Sequence, residues 1–192
     1  TRLNYIVLSK DVTSMSLDQI KSVIAHELFH VISRYNPTLR AKLYSLIGFT
    51  VCNKIAITTN LKNYTIANPD APNIDAYIIL KDSLGNDIDC AMVLYSKKDY
   101  TKGIMFDYIN VGFLKLIKSK DGNMELYTNN GNEKIYSIRE VSNFFEQIGK
   151  NTRYIIHPEE IMASNFALLF EKEPKIQSPE LIKKIESVFI EN

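Results

Sequence analysis

Between Leu17 and Tyr35 the chain reads LDQIKSVIAHELFHVISRY, and its apolar residues Ile20, Val23, Ile24, Leu28, Val31 and Ile32 occupy more than one face of a helix. A helix of that kind has to be central. Yet it carries His26, Glu27 and His30, including two of the chain's three histidines. Burying such a set without partners would cost about several kcal/mol. The run therefore constrains the whole fold: other elements must pack around it, and one of them must bring polar groups to meet its own.

The limits of this helix are written locally. Ser16 with Gln19 three residues on makes a capping box. Asn36 followed by Pro37 ends the run and opens a second helix through about Ile47, with Leu39, Leu43, Leu46 and Ile47 apolar. Ahead of the first helix, NYIVLSKD (Asn4 to Asp11) has the β-branched and aromatic content of a strand. From about Phe49 to Ile138 the pattern changes from helical to alternating, and Gly85-Asn86, Asp121-Gly122 and Asn130-Gly131 mark hairpin turns. An antiparallel sheet of four to six strands is expected there, with a Pro-bearing loop inside it.

Helices then return. Val141, Phe144, Phe145 and Ile148 fall at i, i+3, i+4 and i+7 before Gly149; His157-Pro158 opens a helix to about Lys172, and Ser178-Pro179-Glu180 opens the last. With 192 residues and 45% hydrophobic content, the expectation is a single α+β domain. Its parts are 1–48 (strand and helices), 49–138 (antiparallel β region) and 139–192 (helical), the sheet being an insertion between helical parts.

Charge and composition exclude some partners. A net charge of +1 lacks the basic excess of a nucleic-acid binder, and no apolar stretch approaches the roughly 18–20 residues of a membrane span. Because the chain starts at Thr1, a processed signal, an anchor or another domain can precede it, which leaves location open. Cys52 and Cys90 sit in apolar settings with no histidine cluster nearby, which favours thiols over a disulfide and over metal ligation.

The chemistry lies in H-E-x-x-H. Residues four apart on a helix point the same way, so His26 and His30 can offer two imidazole nitrogens to one point, a geometry suited to zinc. Glu27, on the neighbouring face, is placed to act as a base toward a water whose pKa the metal lowers from ~16 toward ~7. Two ligands leave such a site incomplete. The best third ligand lies in HPEEIMAS (His157 to Ser164): Glu160, Ala163, Ser164 and Ala167 form a small-residue stripe that allows close approach to another helix. Glu159 instead heads the bulky series Met162, Phe166 and Leu169 and is the reserve choice; His157 competes for the same role.

These two motifs together resemble the gluzincin group of zinc metallopeptidases, in which H-E-x-x-H is completed by a Glu from a later helix, often within E-x-x-A-[DE]. Here EIMAS (Glu160 to Ser164) keeps Glu and Ala but has Ser164 where the group carries an acid that orients a metal-bound histidine. The resemblance implies a zincin-like fold whose active-site helix is preceded by an edge strand able to pair with an extended substrate. It implies one Zn2+ per chain held by His26, His30 and Glu160, Glu27 as general base, and a peptide or protein substrate. An oxyanion donor is also implied, with Tyr154 and His157 the nearest candidates and Tyr35 a weaker one. The alternative is a degenerate zincin serving as a protein-binding module, favoured by Ser164 and opposed by the retained Glu27.

Overall fold

A computed structural model describes residues 1, 3–96, 98–99, 101–104, 107–172 and 176–190. Among these residues the protein is mixed α+β, with six α-helices and a six-stranded antiparallel sheet. It forms two compact units: Thr1–Gly48 together with Phe145–Asn192, and Phe49–Phe144.

The first unit is built on α1 (Leu17–Tyr35). Ser16 Oγ accepts from the Gln19 backbone N–H and Gln19 Oε1 accepts from the Ser16 N–H, so the capping box read from the sequence is formed. At the other end Asn36 serves two helices: its N–H closes the last turn on Ile32 O, and its Oδ1 accepts from Leu39 N to start α2 (Pro37–Ser45). α5 (Pro158–Ala167) is buried along nearly its whole length and continues into a 3-10 turn, Leu168–Phe170; α6 (Pro179–Ile190) buries Leu181, Ile182 and Ile185.

Phe166 of α5 ties these pieces together, its ring 5.7 Å from Phe29 of α1, 5.2 Å from Phe170 and 5.0 Å from Phe189. Ala25, Ala163 and Ala167 are buried as well, which removes side-chain bulk from both helices where they approach. No helix among the described residues is long and apolar enough to cross a membrane.

The strand expected over Asn4–Asp11 does not form. Apart from one bridge position at Tyr5, the segment is irregular until a 3-10 helix at Lys10–Ser14, and Tyr5 and Val7 are exposed. A strand is held by the ladder bonds of a neighbour, and the described residues of this unit contain no other strand to supply them. The edge that would have paired with an extended substrate is therefore missing from the fold described.

In the second unit, β1 (Phe49–Val51), β2 (Ala76–Lys81), β3 (Asp87–Tyr95) and β4 (Asn110–Lys118) follow one another in an antiparallel meander. The far side of β4 is shared by β5 (Met124–Leu126) at one end and β8 (Ile135–Ser137) at the other. β6 (Thr128–Asn129) and β7 (Asn132–Glu133) form a separate hairpin across Asn130-Gly131, where both residues take positive φ, as a tight two-residue turn requires. Among the described residues, one apolar cluster on the sheet gathers around Ile55, Ala91, Leu116 and Met124 and another around Leu61, Val93 and Leu114; Leu61 comes from a short helix, α3 (Thr59–Lys62), within the sheet region.

The sheet unit extends beyond the Ile138 limit set from the sequence, to Phe144. Ser142 bridges Lys81, Asn143 Oδ1 accepts from Lys81 N, and the Phe144 ring packs edge-on against Phe113 at 4.9 Å. This also shortens the amphipathic helix expected from Val141. Asn143 has φ near 60°, a left-handed conformation that stops a helix, so α4 spans only Phe144–Ile148. Cys52 and Cys90 are thiols rather than a disulfide, with Cys90 buried and its pKa pushed up to about 12 by that burial.

Candidate metal site

The cluster of histidines and glutamates lies in the first unit, on α1 and α5, and α2 adds Arg40 and Tyr44 to it. One turn of α1 sets the imidazoles of His26 and His30 with centroids 4.9 Å apart and planes nearly perpendicular. Their surroundings differ: the His26 side chain is 21% exposed and that of His30 only 1%. Glu27, on the adjacent face, lies at the rim of the same region, with Oε2 3.4 Å from the Thr1 amino nitrogen.

Glu160 meets the histidines from α5. Its Oε2 lies 3.0 Å from His26 Nε2 and 3.7 Å from His30 Nε2, with the carboxylate almost entirely buried. The donor atoms of these three residues all lie within 4.8 Å of one another. A tetrahedral cation with bonds of about 2.0–2.1 Å sets its donors about 3.3 Å apart. The 3.0 and 3.7 Å separations bracket that figure, and two imidazole nitrogens with one carboxylate oxygen are a donor set that could hold a divalent cation such as zinc.

Glu159 is buried just as deeply but points elsewhere. Its Oε1 lies 3.1 Å from His30 Nδ1 and accepts a short hydrogen bond from Ser33 Oγ. Its Oε2 accepts from the Tyr44 hydroxyl at 2.6 Å and lies 3.8 Å from Arg40 Nε, while the Arg40 guanidinium stacks over the Tyr44 ring. Burial, and then the Glu159 charge, raise the Tyr44 pKa well above its ordinary value of 10.0, so the phenol stays a donor.

The other residues singled out in the sequence have different placements. His157 caps α5, its Nδ1 accepting from Glu159 N at 3.1 Å, and it is not part of the three-residue donor cluster. Tyr154 is partly exposed, with its ring 6.3 Å from that of His26; Tyr35 is exposed at the end of α1. Beyond those residues, the buried Asn165 of α5 is taken up by framework bonds, donating to Ile161 O and accepting from Asn151. Asn151 in turn accepts from the Gln177 and Ser178 backbone, tying the segment ahead of α5 to the start of α6.

Beside His26 is an open cleft of 350 Å³, whose walls also include Glu27, Thr152, Ser164 and Glu171. A larger depression of 610 Å³ shares Ser22, Val23 and Glu171 with it, so the two adjoin along α1. His26 and Glu27 line the smaller one. Comparisons with protein-family models, curated proteins and solved structures found no match.

Sequence reasoning did not find Ser33, Arg40 and Tyr44. A signal for Ser33 existed: it lies three residues after His30, on the same face of an apolar helix, where a buried hydroxyl needs a partner. Nothing in the pattern of α2 singled out Arg40 or Tyr44, whose roles depend on how α2 packs.

Proposed function

We propose that this chain is a zinc-dependent peptidase of the gluzincin type, with a zincin-like helical unit. The observation that carries the reading is a single carboxylate oxygen, Glu160 Oε2, facing the Nε2 atoms of two histidines one helical turn apart at 3.0 and 3.7 Å. His26, His30 and Glu160 would hold the ion. When bound, zinc supplies a Lewis acid that makes water nucleophilic near neutral pH and polarises a carbonyl.

The chain's own groups do the rest. Glu27, at the rim of the cleft, takes the proton of the attacking water and delivers it to the departing amine nitrogen. Of the two nearer oxyanion candidates, Tyr154 has its ring 6.3 Å from that of His26, a proximity that favours its hydroxyl. The open cleft beside His26 and Glu27 offers room for an extended peptide.

The test is digestion of an unbiased peptide library by the zinc-loaded wild-type chain and by Glu27→Gln. Hydrolysis by the wild type, lost in Glu27→Gln with zinc content unchanged, is the expected result. Retained turnover in Glu27→Gln would refute the assigned base, and a zinc-loaded wild type that cleaves nothing would favour a binding module.

A further inference from the structure

The gluzincin pattern calls for an acid at Ser164 to orient a ligating histidine, but in the structure another carboxylate reaches an imidazole. Glu159 immediately precedes the proposed ligand, and successive residues on a helix project about 100° apart. Glu160 thus turns toward the histidine Nε2 atoms while Glu159 reaches the far side of His30, at Nδ1. We propose that Glu159 is the positioning residue of the site, fixing the tautomer and ring orientation of His30 through Nδ1. This rests on the metal reading above and deepens it.

The hydrogen-bond geometry gives the direction of action. Four groups approach the Glu159 carboxylate: the Ser33 hydroxyl and His30 Nδ1 at Oε1, the Tyr44 hydroxyl and Arg40 Nε at Oε2. The Tyr44 hydroxyl donates to Oε2 at 2.6 Å, and the Arg40 guanidinium, which has no acceptor, faces the same oxygen with an N–H. An acceptor-only carboxylate requires His30 to donate from Nδ1, and a neutral imidazole that donates there presents a lone pair at Nε2. That lone pair is on the Glu160 side of the ring.

The ring is also held in place. Ser33 shares α1 with His30, whereas Tyr44 and Arg40 come from α2, so Glu159 is fixed from two helices before it fixes the imidazole. A buried carboxylate is tolerated because these donors replace its hydration. Ser164 needs no acid in this arrangement, since the orienting group has moved from four residues after the ligand to one residue before it. Glu159 touches neither substrate nor ion in this account; it acts through His30.

The test measures zinc affinity by competition with a chromophoric chelator, together with the visible absorption of the cobalt-substituted chain. Wild type, Glu159→Gln, Glu159→Asp and Ser33→Ala are compared, with far-UV circular dichroism of each metal-free chain as the folding control. Glu159→Gln keeps the shape but replaces one acceptor oxygen by a donor. It is expected to lower zinc affinity by about 10- to 100-fold and to change the cobalt spectrum, with Glu159→Asp recovering part of the loss and Ser33→Ala losing less. If Glu159→Gln does not fold, the Ser33→Ala comparison decides: reduced affinity with a native dichroism spectrum supports the proposal, and unchanged affinity overturns it. A Glu159→Gln chain that binds zinc and cobalt as the wild type does would overturn the positioning role alone. A wild-type chain that takes up neither ion would overturn the metal reading and this inference together.

Discussion

Removal of the Tyr44 hydroxyl isolates one bond at the centre of the buried network. Tyr44→Phe leaves a ring of the same shape in a fully buried site and deletes only the donor 2.6 Å from Glu159 Oε2. That oxygen then keeps Arg40 Nε at 3.8 Å, too far for a normal hydrogen bond. A hydrogen bond to a charged group is worth about 1.5–3 kcal/mol, so a loss of about 2 kcal/mol is expected, or a fall in Tm of about 4–8 °C for a chain of this size. Urea and thermal unfolding of the metal-free chain, followed by circular dichroism at pH 7, measure it.

The pH dependence supplies a second arm to that test. The folded Tyr44 pKa lies above the ordinary value of 10.0, so above that value the unfolded chain loses this proton first and the native state loses stability as pH rises. Below it the contribution is fully present. The wild-type advantage over Tyr44→Phe is therefore expected to hold from neutral pH to about 10 and to shrink beyond it. Equal stability of the two chains at pH 7 would refute the claim that Tyr44 satisfies a buried carboxylate.

Two further outcomes test the packing. Phe29, wholly buried on α1 against Phe166, is expected to cost about 3–5 kcal/mol when changed to Ala, read by urea unfolding; a loss below about 1 kcal/mol would contradict the assigned core. With its pKa raised to about 12 by burial, Cys90 should react with a thiol reagent far more slowly than Cys52 in the native chain, and both should react at once in denaturant.

Features legible in the sequence were those fixed by neighbours along the chain. Ser16 with Gln19, and Asn36 with Pro37, set helix limits through bonds spanning three residues, and these formed as read. The hairpin turn at Asn130-Gly131 was legible for the same reason, because positive φ at both residues is a local demand. The segment Asn4–Asp11 has strand composition, but composition cannot provide a pairing neighbour, and it stays irregular. Val141 keeps the helical spacing, yet Asn143 leaves the helical region and Ser142 bridges Lys81, so a long-range contact sets where α4 begins.

The candidate site divides in the same way. The histidine pair and the side from which Glu160 approaches followed from helical periodicity and from a stripe of small residues. Glu159 was placed among the bulky core residues by its spacing, and it is buried there as expected. Its role depends on Ser33, Arg40 and Tyr44, between 115 and 126 positions away for the two hydroxyl contacts, which no local pattern encodes.

The most direct test of the account is a zinc titration of the wild-type chain beside Glu160→Ala, with bound metal counted after dialysis and the ligand set read by X-ray absorption. One zinc per wild-type chain, bound by two imidazoles and a carboxylate, is expected, with a large loss of affinity in Glu160→Ala. Zinc bound equally well without Glu160, or no zinc bound by the wild type, would contradict it.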